Sequence, residues 1–137
     1  MSVPSMKVLQ VKTTKHNEFV DITGLVESAV SEAGQEDGAC LVYVPHTTAG
    51  VTINENADPS VRKDILMMLD RMVPEKAPYT HAEGNSPGHV KSSMMGCSAY
   101  VPLKGGRLAL GTWQGVYFCE FDGPRTRQVW VQMLKAR

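Results

Sequence analysis

The feature that most constrains the fold is the pattern of the back half of the chain, where short apolar runs are separated by turns rich in glycine and proline. Apolar and polar residues alternate within these runs, as they do in strands that bury one face. The runs occupy residues 98–103, 107–112, 116–121 and 127–134. Because tight turns join consecutive antiparallel strands, the back half is predicted to form an antiparallel meander.

The front half combines strands with two helices. Strands are predicted at residues 6–14, 17–22, 38–44 and 50–54. The short turn between the first two suggests a hairpin. One helix is predicted from about Thr23 to Gly34, because apolar residues recur there every three or four positions. A second helix begins at Asp58-Pro59, where aspartate caps the helix and proline occupies its first turn, and ends at Pro74.

Residues 74–88 show no periodicity and are rich in proline, glycine and polar residues, so a long irregular loop is predicted. Loops of this length are either disordered or functional. The predicted fold class is α+β, with an antiparallel sheet that curls toward a barrel and is covered by two main helices. One domain is expected to span residues 1–137.

Composition narrows the classes of partner. The formal net charge is +0, from 14 basic and 14 acidic residues, so the basic surface that nucleic-acid binding needs is not expected. A chain without net charge also favours self-association. No apolar run is long enough for a membrane span, and the first residues lack a signal-peptide pattern. The three widely spaced cysteines form no CxxC pair, which indicates a reducing, cytoplasmic setting.

Residues 45–59 lie between a predicted strand and a predicted helix and carry more polar side chains than a connector needs. The candidates for catalysis or substrate contact here are His46, Thr47, Asn54, Glu55 and Asn56. The alternative interpretation is that such residues only form turns and caps, or orient other groups.

Further candidates lie in the back half. His81 lies within the irregular loop and His89 directly follows it, and two histidines so close together can converge on one ion or one substrate. Lys91 and Arg107 are candidate partners for an anion. Thr112 and Gln114 lie in the run GTWQG and offer hydrogen bonds to a ligand. The fourth histidine, His16, lies in a turn and is predicted to be solvated.

Four segments carry a resemblance to a known family: HTTAGVTINENADPSVRKDI, YTHAEGN, HVKSS and GRLALGTWQGVYFCEFDGPRTRQV. They resemble the YjbQ family of uncharacterised proteins, which is often called secondary thiamine-phosphate synthase. The match covers nearly the whole chain, and the run GTWQG is its most specific signature. The resemblance implies a small α+β, barrel-like fold that assembles as a homotrimer. It also implies a site built from the histidines and polar loop residues, located between subunits.

The activity that the resemblance implies is weak thiamine-phosphate synthesis, in which hydroxymethylpyrimidine diphosphate is joined to thiazole phosphate and pyrophosphate is released. Such a transfer needs the charge of the departing diphosphate to be balanced. A divalent metal, zinc or magnesium, held by His46, His81 and His89, with Glu55 or Asp58 as a further ligand, is one way to do so. Three imidazoles favour zinc, whereas magnesium prefers oxygen ligands.

Three alternatives to that reaction stay open. The same residues could activate a metal-bound water in a hydrolase with an unknown substrate. They could form a metal-free site in which a histidine acts as acid or base and Glu55 orients it. The third alternative is a non-catalytic trimeric module that binds a small anion or a metal.

Overall fold

A computed structural model describes residues 6–136. These residues form eight strands and three helices in the order β1 (Met6–Lys12), β2 (Glu18–Asp21), α1 (Thr23–Ala33), β3 (Gly38–Tyr43), β4 (Ala49–Glu55), α2 (Pro59–Met72), α3 (Ser86–Met95), β5 (Ser98–Lys104), β6 (Arg107–Leu108), β7 (Gln114–Glu120) and β8 (Thr126–Leu134). The five-stranded sheet has the order β1-β8-β3-β5-β6, and the three-stranded sheet the order β2-β7-β4. The predicted α+β class, with a curled antiparallel sheet, is confirmed.

The core lies on the inner faces of both sheets and beneath α1. Buried apolar residues recur at every second position in the middle of β3, β5 and β8, for example Val42, Val101 and Val131. Helix α1 adds Val26 and its neighbours to the same cluster. Each fully buried side chain of this size contributes about 1.5–3 kcal/mol through burial. The two sheets therefore form a firm scaffold for the loops at their ends.

Two predictions about strand pairing are wrong. The first two strands do not form a hairpin, because β1 pairs with β8 and β2 pairs with β7. The back half is not a meander either, because β7 lies in the three-stranded sheet while β5, β6 and β8 lie in the other. The alternating pattern fixes which face of a strand is buried but does not identify its partner.

The predicted strand over residues 107–112 is also too long. Only Arg107–Leu108 forms a strand, although the apolar Leu110 further along packs against the core.

A third helix, α3, occupies part of the segment predicted to be irregular. The prediction missed it because its buried face carries Lys91 and Ser92, so no apolar stripe appears in the sequence. Its start resembles that of α2, since Pro87 lies in its first turn as Pro59 does in α2.

The two predicted helices are confirmed at their ends. In α2, the Ser60 N–H donates to Asp58 Oδ1 at 2.9 Å, which is the predicted cap. At the end of α1, Gly34 adopts a φ of 68°, a conformation that glycine reaches without strain. Across residues 6–136, none of the helices is both long enough and apolar enough to cross a membrane.

Candidate functional site

A polar cavity of about 430 Å³ opens where four segments meet: the β3–β4 loop, the α2–α3 loop, the first turns of α3, and the β7–β8 loop with the start of β8. Three histidines line this polar cavity: His46, His81 and His89. The other lining residues are Pro45, Thr47, Thr48, Glu83, Asn85, Asp122, Arg125 and Arg127. Histidines from three separate segments therefore share one cavity.

His46 lies just beyond the point where the hydrogen-bonded pairing of β3 with β8 ends. β3 pairs with β8 as far as Tyr43 opposite Trp130, and extending this register would place Pro45 opposite Gln128. The chain leaves the sheet at this point, and the Gln128 N–H donates to His46 Nε2 instead, at 2.9 Å. The imidazole thus replaces the missing strand as the partner of this N–H.

This hydrogen bond defines the protonation of His46. Because Nε2 accepts the Gln128 N–H, the neutral ring carries its proton on Nδ1. Burial and then the nearby Arg127 guanidinium lower the pKa of His46 below its ordinary value, because both disfavour the imidazolium. His46 is therefore a neutral imidazole at pH 7, with one N–H available as a donor.

His81 and His89 form a pair in the cavity wall. Their ring centroids are 5.3 Å apart and the rings are nearly perpendicular, at 89°. The Glu83 carboxylate lies 3.8 Å from His81 Nε2. Two imidazoles and one carboxylate from this part of the chain therefore line the same cavity.

The start of α3 packs closely against the start of β4, and this contact brings Asn85 and His89 into the cavity. A Cβ on Gly88 would lie 2.9 Å from the backbone oxygen of Phe121 and 3.3 Å from Thr48 Cγ2, so only glycine allows this approach. The buried Ser92 hydroxyl donates to the backbone oxygen of residue 49 at 2.7 Å. Both contacts fix the helix that carries His89.

A buried ion pair forms the floor of the cavity. Arg127 Nε donates to Glu120 Oε1 at 2.9 Å, and its Nη2 donates to the Thr48 hydroxyl at 2.9 Å. Glu120 also accepts the Thr13 hydroxyl at 2.8 Å and the Asp122 N–H at 3.0 Å. These bonds satisfy the ion pair in place of water, as a buried pair requires.

The loop between β7 and β8 adds a second polar group. Asn85 Nδ2 donates to Asp122 Oδ2 at 2.9 Å, and Arg125 Nη2 lies 3.2 Å from the same oxygen. Asn85 Oδ1 is buried and has no hydrogen-bond partner within residues 6–136. An unsatisfied buried carbonyl is costly, so the Asn85 side chain is held here by its bond to Asp122 and by packing.

Several predicted site residues lie elsewhere. Thr47 lines the cavity, but Asn54, Glu55 and Asn56 lie at the far end of β4. There Glu55 pairs with Gln114 across the sheet. The predicted ligand contacts Thr112 and Gln114 belong to this second region, in which Gln114 Oε1 accepts the Gly111 N–H at 2.8 Å. This far-end polar region comprises residues 54–56 and 111–115, and its roles in a site stay predictions.

The two predicted anion partners also lie outside the cavity lining. Lys91 is 1% exposed, and its Nζ donates to Asp70 Oδ1 at 2.6 Å and to Asn17 Oδ1 at 3.3 Å. Arg107 is exposed and lies 3.6 Å from the Glu27 carboxylate. In the structure Lys91 holds α3 against α2, and an anion role for either residue stays a prediction.

The sequence reasoning did not select five residues that belong to or support the cavity: Thr48, Glu120, Asp122, Arg125 and Arg127. A signal for one of them was present. Arg127, Val129 and Val131 are alternate positions of β8 and therefore lie on the same face of the strand. The alternation thus places a charge on the buried face of β8. A buried charge needs a partner, and the acid that it needs is Glu120.

The predicted metal site is tested by the chemistry of its donors. His46 Nε2 already accepts the Gln128 N–H and Nδ1 carries the proton, so this ring has no lone pair free for a metal. Among residues 6–136, no three His, Cys, Asp or Glu side chains are grouped so that they could hold one ion. The three histidines as arranged do not fit a shared metal, and zinc or magnesium stays a prediction for elemental analysis of protein purified without chelator.

Comparison with known proteins gives a consistent result. The UPF0047 protein YjbQ-like family profile matches residues 7–136. The UPF0047 protein YugU of Bacillus subtilis is 55% identical over 130 residues, which cover 94% of this chain and 98% of YugU. A UPF0047 protein of Methanocaldococcus jannaschii is 54% identical over 125 residues, with 91% of each chain covered.

Solved structures agree. A crystal structure of an uncharacterised YjbQ/UPF0047 protein from Clostridium acetobutylicum has a TM-score of 0.92 and 52% identity, and covers 93% of this chain and 99% of its own. A YbjQ-like protein of unknown function from Sulfolobus solfataricus has a TM-score of 0.90 and 31% identity, and covers 94% of this chain and 95% of its own. Sequence, fold and length all match, and the chain therefore belongs to the YjbQ (UPF0047) family.

Proposed function

We propose that the polar cavity is the active site of a small-molecule enzyme that uses histidine acid–base chemistry on a phosphate-bearing substrate. The observation that carries this proposal is the convergence of His46, His81 and His89 in one cavity. Arg125 and Arg127 line the same wall and place positive charge there, and both guanidinium groups are held in position by bonds within the protein, Arg125 to Asp122 and Arg127 to Glu120 and Thr48. A ligand that carries phosphate oxygens therefore suits the cavity.

The specific reaction that we propose is thiamine-phosphate synthesis, as a weak or side activity. The carbon–oxygen bond to the diphosphate breaks and its electron pair leaves with pyrophosphate, while the thiazole nitrogen supplies the pair for the new carbon–nitrogen bond. The leaving group gains negative charge, which donors in the cavity stabilise. His46 supplies its Nδ1–H, and the first turn of α3 points the positive end of its dipole toward Asn85 and the cavity.

Hydrolysis is a second candidate, and one contact favours it. The Glu83 carboxylate lies 3.8 Å from His81 Nε2, a distance from which it can help to orient the imidazole toward a water in the cavity. In that case the histidine takes a proton from water, whose oxygen attacks the phosphorus. The phosphorus–oxygen bond to the alcohol then breaks, and the departing alkoxide takes up the proton from the histidine. The non-catalytic alternative, a module that binds an anion or a metal, predicts the same cavity without turnover.

Direct assay separates these candidates. Wild-type protein is incubated with hydroxymethylpyrimidine diphosphate and thiazole phosphate, with and without Mg²⁺, Zn²⁺ or chelator. Thiamine phosphate and inorganic phosphate are measured in the same mixture. We expect slow formation of thiamine phosphate with release of one pyrophosphate per product. Phosphate release alone indicates a hydrolase, and binding of substrate without either product indicates a binding module.

We also propose that the chain assembles as a homotrimer in the cytoplasm, with the outer face of the five-stranded sheet at the subunit interface. This outer sheet face carries Val8, Tyr43, Tyr100 and Trp130, which lie opposite the buried positions of their strands. Val8 is 51% exposed and Tyr100 is 64% exposed. The Tyr43 and Trp130 rings stack at 5.7 Å between centroids. An apolar sheet face of this kind is suited to burial against another subunit.

The trimer proposal predicts a solution mass of about three chains of 15.0 kDa each. Size-exclusion chromatography with light scattering measures it. Trp130→Glu is expected to shift the mass to one chain, because it buries a charge in the proposed interface. Trp113→Glu is the control, since Trp113 is an exposed tryptophan that lies next to the other sheet, whereas Trp130 is partly buried. A single-chain mass for the wild type contradicts the trimer, and equal effects of both variants contradict the proposed interface.

A further inference from the structure

A second cavity adjoins the polar one. It has a volume of about 390 Å³, and His81 and His89 line it as well as the polar cavity. The two imidazoles therefore stand at the junction, and a molecule that occupies both cavities must pass beside them. The His81 side chain is 45% exposed, so its ring can be reached from either cavity.

The walls of this second cavity differ in chemistry from those of the first. Pro78, Tyr79 and Val90 supply apolar surface. The Tyr79 hydroxyl donates to the backbone oxygen of Pro74 at 2.5 Å, which uses its polar group and leaves the ring as an apolar wall. No arginine or lysine lines the second cavity within residues 6–136, whereas two arginines line the first.

We propose that the second cavity is the subsite for a flat ring carried by a substrate whose phosphate occupies the polar cavity. This inference rests on the proposed function, because the phosphate position is taken from it. A tyrosine ring, a proline and two imidazoles are the surfaces on which flat rings pack with the greatest contact. With the ring in the second cavity and the phosphate in the polar one, the ester linkage of the substrate lies beside His81 and His89.

Binding of two simple probes tests the inference. Dissociation constants of methyl phosphate and phenyl phosphate are measured by calorimetry on the wild-type protein. Phenyl phosphate is expected to bind about tenfold more tightly, because the ring removes apolar surface from water in the second cavity. Val90→Ser is expected to reduce this preference about threefold, through loss of apolar contact. Met94→Ser is the matched control, because Met94 is an exposed apolar residue one turn along α3 and is not in the cavity wall.

The outcomes separate the two proposals. Equal affinity for the two probes overturns the ring subsite and leaves the phosphate site in place. A preference for phenyl phosphate that Met94→Ser reduces as much as Val90→Ser also overturns the subsite. Failure of the wild type to bind either probe overturns the phosphate site, and the ring subsite with it. Both variants are checked by circular dichroism, and both substitutions lie at exposed positions on α3, where the fold tolerates them.

Discussion

Replacing Glu120 by glutamine is expected to lower the free energy of unfolding by about 3–5 kcal/mol. The substitution removes the negative charge but leaves the Arg127 guanidinium, which is 3% exposed, without its counter-ion. Urea unfolding followed by circular dichroism, at fixed protein concentration, measures the change. Glu36→Gln is the matched control, because Glu36 is exposed, and its effect is expected to stay within about 0.5 kcal/mol.

The effect of Glu120→Gln on the free energy of unfolding is expected to depend on pH. Burial alone raises the pKa of Glu120, but hydrogen bonds from Arg127, Thr13 and the Asp122 N–H outweigh it and hold the pKa below its ordinary value. The charged carboxylate therefore stabilises the fold above the ordinary pKa of glutamate. That stability is lost as pH falls through the lowered pKa. The difference between wild type and Glu120→Gln should narrow over this acidic range, and a difference that stays constant would contradict the account.

A double variant shows whether the loss of stability in Glu120→Leu comes from the unpaired Arg127 charge or from lost packing. Glu120→Leu with Arg127→Met removes both charges, so it is expected to be more stable than Glu120→Leu alone. If the double variant is less stable than the single one, the cost comes from lost packing and not from the unpaired guanidinium.

The sequence predicted the elements of this fold better than their partners. The caps at Asp58-Pro59 and Gly34 act locally, through one hydrogen bond or one backbone angle, and the structure has both. Strand pairing depends on contacts between distant segments, such as β1 with β8, and no local pattern specifies them. Helix α3 was missed for a related reason, because the buried Lys91 finds its acceptors on other segments, at Asp70 and Asn17.

For the candidate site, too, the residues could be predicted from the sequence better than the contacts between distant segments that bring them together. Histidines are rare and chemically distinctive, so His46, His81 and His89 could be selected without knowing the fold. Their convergence was expected from the family resemblance, but the contact that produces it, α3 packing against Thr48 through Gly88, could not be predicted from a local pattern. The predicted roles of residues at the far end of β4 came from their closeness in sequence to His46. A strand that spans Ala49–Glu55 separates its two ends by about 20 Å at the usual rise per residue.

Alanine at each cavity histidine is expected to lower kcat/KM for the phosphate-bearing substrate by about 10²–10⁴-fold, the usual contribution of a general acid or base. His46, His81 and His89 are the three positions, and steady-state turnover measures the effect. His16→Ala is the matched control, because His16 is exposed and contacts the backbone oxygen of Gly123 and the Glu75 carboxylate outside the cavity lining. Its activity is expected to equal that of the wild type.

The pH dependence of kcat/KM shows which of the three cavity histidines acts as the base. His46 is neutral because its pKa is lowered, and its Nε2 lone pair already accepts the Gln128 N–H, so His46 serves as an Nδ1–H donor and the base is expected in the His81–His89 pair. The acidic limb of kcat/KM is therefore expected to persist in His46→Ala and to disappear in the alanine variant of whichever paired histidine is the base. A limb that disappears in His46→Ala and survives in both His81→Ala and His89→Ala would contradict this assignment. Full activity in all three alanine variants would remove the cavity from the chemistry, because no imidazole within it would then take part in proton transfer.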